Sequence, residues 1–397
     1  MAILPTRNEE LPASRLLHPS GQVPSHFDAE PGAEPAALGR EFADAYLRRS
    51  FPRLVPRAHI DTLPLESLLQ RSGYLELRQG DCTFAEWQRF CEGYSFDFVY
   101  RAEGGELLGH ASSTRIYSST WLGHQLATLG GHAESGVCRS ELYAFLSVAP
   151  RLVDGERAHS IAYFNPSRRW HQLFFQQFSD GVQDPTLTAI GLWDRFERDS
   201  GAPDLPARWP RGPRIEALQK SDLSLAVALV RSQLPGLLAD AMDIFPEALQ
   251  ATRLNGDAAR TRTAFGVYLE RELAGVALCE FGPSNASLFN LLNLAQFYFP
   301  APAPTPSGGL EAQLALLGAV RSFYRTQGIE HPVVVAPPHS FAAEREPGTR
   351  LGERMGCIAW SCGGLVRYED YCRVQMERLY RRKGASRKGA ANVQGSD

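Results

Sequence analysis

A junction between a strand and a helix, at residues 163–178 (YFNPSRRWHQLFFQQF), combines residue types that could bind a ligand and move a proton. Tyr163 and Phe164 end an apolar run, Asn165 interrupts it, and apolar residues then recur at helical spacing. His171 lies at the start of this predicted helix, where an imidazole could act as a general acid or base near neutral pH. The alternative is that His171 is a packed or surface side chain and that the junction serves packing alone.

Other titratable side chains lie on predicted strands. Glu280 is the only carboxylate in the apolar run of its strand, so it could act as a base; the alternative is a charge at the rim of a hairpin. His110, His124 and His132 cluster around two further strands and the loop that follows them. For His124 the alternative to a functional role is the polar face of a half-buried strand.

Two glycine-containing loops, each followed by a predicted helix, are candidate phosphate-binding sites. The first contains Gly130 and Gly131, and the second contains Ser307, Gly308 and Gly309. Backbone N–H groups at a helix N-terminus attract anions, and glycine lets the backbone approach a bulky phosphate closely. Both loops could equally be ordinary helix starts.

Composition excludes several classes of protein. The chain has 397 residues, of which 44% are hydrophobic and 21% charged, as in globular proteins of two domains. Its net charge of −3 argues against a dedicated nucleic-acid binder. No apolar run approaches the length of a transmembrane segment, and the opening MAILPTRNEE does not resemble a signal peptide.

The cysteines and lysines indicate the cellular setting. Seven cysteines are scattered without CxxC spacing, which predicts reduced thiols in the cytoplasm and no metal site. Only three lysines occur, at Lys220, Lys383 and Lys388, so arginine supplies nearly all of the positive charge. That bias is typical of a bacterial protein from a GC-rich genome.

Composition along the chain predicts two folded regions. Residues 1–58 are rich in Pro, Ala and Glu and predict a flexible arm, and residues 199–213 predict a linker. The basic segment 381–397 predicts a disordered tail. The folded regions are then 59–198, here called copy one, and 214–380, copy two.

The two copies share an order of features that predicts an internal repeat. Residues 104–129 and 270–297 both contain Glu-Leu-x-Gly-x-Ala, a turn rich in Ser and Asn, and another apolar strand. Gly109 matches Gly275 at an offset of 166 residues. A loop with glycine, a helix and an apolar strand follow in each copy. The alternative is a chance likeness between two generic domains.

This order resembles the GCN5-related N-acetyltransferase (GNAT) superfamily, in tandem. The resemblance implies an α+β fold, with a mixed, mostly antiparallel sheet flanked by helices in each copy. It implies that acyl-CoA lies between splayed strands, with its pyrophosphate on the loop of Gly130 and Gly131 or of Ser307 to Gly309. Asn165 matches the Asn that ends the fifth strand of such domains.

The resemblance also exposes two departures. The tyrosine that protonates the departing thiolate in such enzymes aligns with Phe174 or Phe175, which have no proton to give. In copy two the corresponding helix motif falls on residues 350–357, again without the tyrosine.

The resemblance implies an N-acyltransferase with acyl-CoA or acetyl-CoA as donor, or an acyl carrier protein, and a small-molecule or peptide amine as acceptor. His171 and Glu280 are the candidate catalytic residues. The alternative is a degenerate tandem protein that acts as a ligand sensor or as a scaffold for a protein partner.

Overall fold

The fold is given by a computed structural model that describes residues 45–72, 95–198, 212–250, 254, 260–282, 292–300, 306–330, 332–342, 348–375 and 378. Residues 1–44 of the predicted arm, 199–211 of the predicted linker and the predicted tail 381–397 lie outside this part of the chain.

Within the described residues, thirteen strands form one continuous sheet, in the order β1-β2-β3-β4-β5-β13-β6-β11-β10-β9-β8-β7, with β12 paired to β6. The strands are β1 (Leu54–Pro56), β2 (Ser95–Arg101), β3 (Leu107–Arg115), β4 (Thr120–Thr128), β5 (His159–Phe164), β6 (Thr188–Arg198), β7 (Arg214–Ala217), β8 (Thr261–Leu269), β9 (Glu272–Phe281), β10 (Leu294–Tyr298), β11 (Val333–Ala336), β12 (Thr349–Leu351) and β13 (Met355–Ser361).

Helices flank this sheet. The third helix, α3, contains a π-helical segment between two α-helical ones. The helices are α1 (Thr62–Arg71), α2 (Ser135–Asp154), α3 (Arg169–His171, Gln172–Gln176 and Gln177–Val182), α4 (Leu223–Arg231), α5 (Gly236–Ala241), α6 (Pro246–Gln250), α7 (Pro306–Thr326) and α8 (362–375).

The strand directions confirm the predicted fold class. Only two pairs of neighbouring strands in the described sheet are parallel, β4 with β5 and β10 with β11. The remaining pairs are antiparallel, as expected for an α+β fold. In both parallel pairs a long helix connects the strands, α2 in copy one and α7 in copy two. A parallel connection needs such a crossover.

The internal repeat is visible in the element order. Copy one runs β2-β3-β4-α2-β5, and copy two runs β8-β9-β10-α7-β11. Gly109 and Gly275 hold equivalent places on β3 and β9. Each lies under a packed side chain, since a Cβ atom would overlap Cys138 at Gly109 and Phe299 at Gly275. The predicted order of strands and helix from the first hairpin to the crossover strand therefore occurs in both copies.

Copy two departs from the prediction after β11. Residues 350–357, expected to end a helix, instead lie on β12 and β13 and the turn between them. In the described residues after β11, 337–342 and 348–361, no helix stands where copy one has α3. β13 is a central strand, and its six consecutive residues from Met355 to Trp360 are buried. A motif read from local sequence cannot show that such a segment pairs with distant strands.

The two copies exchange their last strands. β6, from the end of copy one, pairs with β11 of copy two. β13, from the end of copy two, pairs with β5 of copy one, and β6 and β13 also pair with each other. Each half of the sheet therefore includes a strand from the other half of the sequence.

The described fold begins inside the predicted arm. Residues 45–50 are helical, and β1 pairs with β2 from Leu54 onward. Leu47, Phe51 and Leu54 are buried in the main apolar core. These apolar side chains order the end of the segment, so the predicted arm is shorter than 58 residues. No described helix is long and apolar enough to cross a membrane.

Candidate functional site

A cavity of about 550 Å³ lies where β4 and β5 separate. These strands pair only between Thr120–Leu122 and His159–Ile161. Beyond that point β4 continues to Thr128 and β5 to Phe164 without pairing to each other. α2 and α3 supply further walls, and residues of β13 and α8 complete them.

The mouth of the cavity is basic. Arg139 on α2 is half-buried and donates to the Thr128 hydroxyl from Nε at 3.1 Å and from Nη2 at 2.6 Å. Its guanidinium also lies 4.1 Å from the centre of the Trp170 ring. Burial lowers the pKa of Arg139, and no carboxylate among the described residues pairs with it. Arg168 and Arg169 are exposed beside it.

The other end of the cavity is apolar and aromatic. Tyr143 and Phe175 line it from α2 and α3, and Trp360, Leu365 and Tyr368 line it from β13 and α8. Each of these five side chains is at most 5% exposed. The cavity therefore runs from a solvated cationic mouth to a dry apolar interior.

His171 lies in the wall of this cavity, as does the junction that the sequence singles out. Its Nδ1 is 3.0 Å from the Asn165 carbonyl oxygen and 3.2 Å from the Asn165 backbone nitrogen. Burial lowers the pKa of His171, outweighing the Asn165 backbone contact that raises it, and Arg168 lowers it further. A tautomer with the proton on Nδ1, donated to the carbonyl, would leave Nε2 as a proton acceptor.

Asn165 organises the chain between β5 and α3. Its side-chain oxygen accepts hydrogen bonds from the Ser167 backbone N–H at 2.9 Å and hydroxyl at 2.6 Å. Its side-chain nitrogen donates to Glu353 at 2.6 Å, which ties the junction to copy two. The following helix contains the π-helical segment Gln172–Gln176, a feature that is frequent at functional sites.

His124, on β4, is a second histidine in the cavity wall. Its Nε2 is 2.8 Å from the Thr114 hydroxyl on the neighbouring strand. Burial lowers the pKa of His124 to about 4; the Asp97 charge opposes this shift and His110 adds to it. His124 is therefore neutral near pH 7, and its imidazole can accept a hydrogen bond from a ligand.

Helix α3 lacks the tyrosine hydroxyl that the resemblance implies, but side chains next to this helix carry hydroxyl groups. Phe174 is fully buried and stacks on Tyr143, with ring centres 4.7 Å apart, and Phe175 lines the cavity. Tyr143 and Tyr163 bring phenol side chains to the same wall from α2 and β5. Sequence reasoning missed them because it looked for the tyrosine on the helix alone.

Gly130 and Gly131 lie in the loop between β4 and α2, near the basic mouth. Gly131 has a φ of +83°, which favours glycine, and neither glycine has a neighbour within 4 Å of where a Cβ would lie. Glu134 fixes the loop to the sheet edge: it accepts from the Tyr100 hydroxyl at 3.0 Å and pairs with Arg53.

In copy two the equivalent space is filled. Ser307, Gly308 and Gly309 lie in the first turn of α7, which begins at Pro306. Phe341 follows β11 and packs between the sheet and α7 in the apolar core of this half. Its ring stacks on Phe297 and Phe299 at 4.9 and 5.5 Å. Gln313 of α7 holds this segment by accepting from the Ala342 N–H at 2.8 Å.

Glu280 is not among the residues that line the cavity. It is not at the rim of a hairpin either, because its side chain is fully buried. It accepts from Arg260 at 2.5 Å, from Arg262 Nε at 2.8 Å and from the Tyr117 hydroxyl at 2.8 Å. Burial would raise its pKa, but Arg262 and Arg260 outweigh that effect and lower it. The structure thus places His171 in the cavity wall, with Asn165 in contact behind it and not in the lining, and it places Glu280 in a buried ion cluster.

No metal site is formed by the part of the chain that the structure describes, since no group of three or more His, Cys, Asp or Glu side chains there could hold an ion.

No protein-family model matches this sequence, and a search of the curated proteins finds no match. Similar solved structures include a GCN5-related N-acetyltransferase from Sphaerobacter thermophilus, 14% identical, with 78% of this chain and 96% of that chain covered and a TM-score of 0.43. A tandem GNAT protein from the clavulanic acid biosynthesis pathway is 15% identical, with 78% and 98% covered and a TM-score of 0.37. A GCN5-related N-acetyltransferase-like protein from Streptococcus suis is 10% identical, with 74% and 99% covered and a TM-score of 0.35. At these identities the likeness concerns the fold alone.

Proposed function

We propose that this protein transfers an acyl group from a thioester donor, acyl-CoA or acetyl-CoA or an acyl carrier protein, to an amine, and that the donor binds in the cavity of copy one. The observation that carries this proposal is the cavity between β4 and β5, with its basic mouth and apolar interior. A thioester of a phosphorylated pantetheine has a polyanionic end, which matches the basic mouth, and a thin, mostly apolar arm, which matches the apolar interior.

The mouth supplies charge for the phosphates. Arg139 has no carboxylate partner among the described residues, so its positive charge is available to an anion. The loop of Gly130 and Gly131 precedes α2, whose N-terminus also favours an anion. The facing edges of β4 and β5 offer backbone N–H and C=O groups to the amides of a pantetheine arm.

The chemistry needs a proton acceptor and a stabilised leaving group. The amine nitrogen attacks the thioester carbonyl carbon, the C–S bond breaks, and the amine proton finally goes to the departing thiolate. The proposed acceptor of the amine proton is His171, whose pKa is lowered by burial and whose Nε2 would be the free acceptor if Nδ1 carries the proton. Burial raises the pKa of Tyr163, so its phenol stays protonated and can donate a hydrogen bond to the sulfur.

The proposed setting and acceptor follow from the same features. The proposed setting is the bacterial cytoplasm, where cysteines such as the five described free thiols stay reduced. A small-molecule or peptide amine is the proposed acceptor. Copy two, with Phe341 in its slot, is proposed to support copy one rather than to bind a second donor.

Thermal unfolding with saturating CoA and acetyl-CoA tests donor binding. A ligand at 100 times its Kd stabilises the native state by about 2.7 kcal/mol, which raises the Tm by several degrees. Arg139→Met is expected to weaken CoA binding roughly 10- to 150-fold, the value of a charge-assisted hydrogen bond. Ser307→Asp in copy two is the matched control and is expected to leave binding unchanged. Loss of binding in the copy-two variant alone would refute the assignment to copy one.

Release of free thiol in the presence of amines tests transfer. Acyl transfer to at least one amine is the expected result for the native enzyme. Binding of acyl-CoA without transfer to any amine would instead favour the sensor. No binding of any CoA species would favour the scaffold.

A further inference from the structure

The interior of the copy-one cavity is built to exclude water. Trp360, Leu365 and Tyr368 are 3%, 1% and 2% exposed. Two serine hydroxyls of the lining are satisfied: Ser147 donates to the Ala144 carbonyl at 2.7 Å, and Ser160 donates to the Trp121 carbonyl at 3.2 Å. The Trp360 indole N–H and the Tyr368 hydroxyl are buried without a hydrogen-bond partner among the described residues. No charged side chain projects from β13 or α8 into the lining. The wall therefore favours an occupant that is mostly apolar, with at most a polar group or two that pair with Trp360 and Tyr368.

The walls of the interior are held in place by ring contacts. Trp360 and Tyr368 lie 4.8 Å apart between ring centres, and Phe175 lies 5.7 Å from Trp360. Tyr371 fixes α8 against α3 by donating from its hydroxyl to the Leu173 carbonyl oxygen. Such packed aromatic walls change shape little, so the cavity can select an occupant by size.

An acetyl group would leave most of this interior uncovered. Protein interiors are close-packed and contain few voids larger than a water molecule, because an empty apolar void forfeits contact energy. A cavity of about 550 Å³ is in the range of sites for drug-sized ligands. The cavity as a whole therefore has room for a pantetheine arm, and a donor with further apolar atoms would also contact its aromatic wall.

We infer that the acyl group of the donor is apolar and larger than acetyl, and that it lies against Trp360, Leu365 and Tyr368. The inference rests on the proposed function, since it names the acyl group carried by the thioester in the same cavity. These three residues come from copy two through the exchanged strand β13 and helix α8. Copy two thereby sets the acyl specificity of the site in copy one.

Isothermal titration of the full chain with CoA, acetyl-CoA, octanoyl-CoA and phenylacetyl-CoA tests this inference. Each methylene removed from water tightens Kd roughly fourfold, so octanoyl-CoA is expected to bind at least tenfold more tightly than acetyl-CoA. Phenylacetyl-CoA distinguishes an aromatic acyl group from a linear one, and tighter binding of either supports the inference. Equal Kd values for all four CoA species would overturn it while leaving the proposed function intact. Absence of binding by every species would refute the proposed function itself.

Two neighbouring positions on α8 give a matched pair of variants. Leu365 lines the cavity and is 1% exposed, whereas Val366 is 43% exposed. Leu365→Trp fills the interior and is expected to weaken binding of the larger acyl-CoAs at least tenfold, with the Kd of CoA and acetyl-CoA within threefold of the native values. Val366→Trp is expected to change none of them.

A second variant covers the case in which Leu365→Trp does not fold. Leu365→Ala enlarges the same space and is expected to shift the preferred acyl chain to a longer one across a series from butanoyl-CoA to dodecanoyl-CoA. An unchanged chain-length preference in a folded Leu365→Ala protein would overturn the inference.

Discussion

Replacing Glu280 by Gln separates a structural role for this carboxylate from a catalytic one. The native side chain is fully buried and receives hydrogen bonds from Arg260, Arg262 and Tyr117. Gln has almost the same volume, so the change removes the negative charge without creating a cavity. Two buried guanidinium groups, 2% and 1% exposed, then lose their counter-ion.

The expected cost follows from that geometry. Removing one partner of a buried ion pair typically destabilises a protein by about 3–5 kcal/mol, because the other charge stays buried without compensation. Arg262 retains the Met242 and Asp243 carbonyls as acceptors, at 2.7 and 3.0 Å. Arg260 has no other acceptor among the described residues for the nitrogen that Glu280 binds. Since Arg262 keeps two acceptors whereas Arg260 keeps none among the described residues, a cost within this range, about 3–5 kcal/mol, is expected.

Urea unfolding at pH 7, followed by circular dichroism, measures this cost. Glu272→Gln is the control, since Glu272 lies on the same strand β9 but is exposed. A loss under 1 kcal/mol for Glu280→Gln would refute the reasoning. Loss of acyl transfer with unchanged stability would show that Glu280 is catalytic.

The pH dependence gives a second check with a defined sign. The folded-state pKa of Glu280 lies below its usual 4.5 because Arg262 and Arg260 outweigh the effect of burial. The unfolded chain therefore binds a proton more readily than the folded one, and the stabilisation is fully present above about pH 4.5. The difference in the free energy of unfolding between the native protein and Glu280→Gln should therefore decrease as the pH falls through the folded-state pKa of Glu280.

Three further substitutions test other parts of the molecule. Gly356→Ala should destabilise the protein by about 1–3 kcal/mol in urea unfolding, because its Cβ would overlap the Phe164 ring across the exchanged strands; Gly104→Ala, with open space around it, should cost less than 1 kcal/mol. The pKa of about 4 for His124 predicts that stability falls by up to about 3 kcal/mol between pH 6.5 and 4, and that His124→Asn removes this dependence; a parallel fall in the variant would contradict the assignment. His171→Gln should lower kcat/KM for acyl transfer by a factor of about 10²–10⁴ and remove the decrease of kcat/KM at acidic pH, while the donor Kd stays within threefold of the native value. An unchanged rate would exclude His171 as the base.

Local sequence patterns were sufficient to predict the class of fold and the order of elements in each copy as far as β5 and β11, but not the strands that replace the expected helix in copy two. Alternation of apolar residues predicts strands, and a glycine loop before a helical pattern predicts the start of α2. The Asn165 junction could be predicted because the break in the strand and the start of α3 are adjacent in sequence. His171 could be placed beside it for the same reason.

Pairing between distant strands could not be predicted in this way. An apolar run such as 355–361 shows that a strand is buried on both faces, but not which strands are its neighbours. The exchange of β6 and β13 therefore became visible only in the structure. The inner wall of the cavity was missed for the same reason, since Trp360, Leu365 and Tyr368 lie about 200 residues from His171 in sequence.

The strand exchange explains why a copy with a filled slot remains necessary. Phe341 packs in the apolar core between the sheet and α7 of copy two, and no helix equivalent to α3 follows β11 among the described residues. Yet β13 and α8 of this same copy form the inner wall of the open cavity in copy one. Glu353 of copy two also holds Asn165 at the junction. Copy two thus fixes the shape of the cavity in copy one, which makes the pair, rather than either copy, the unit that forms this cavity.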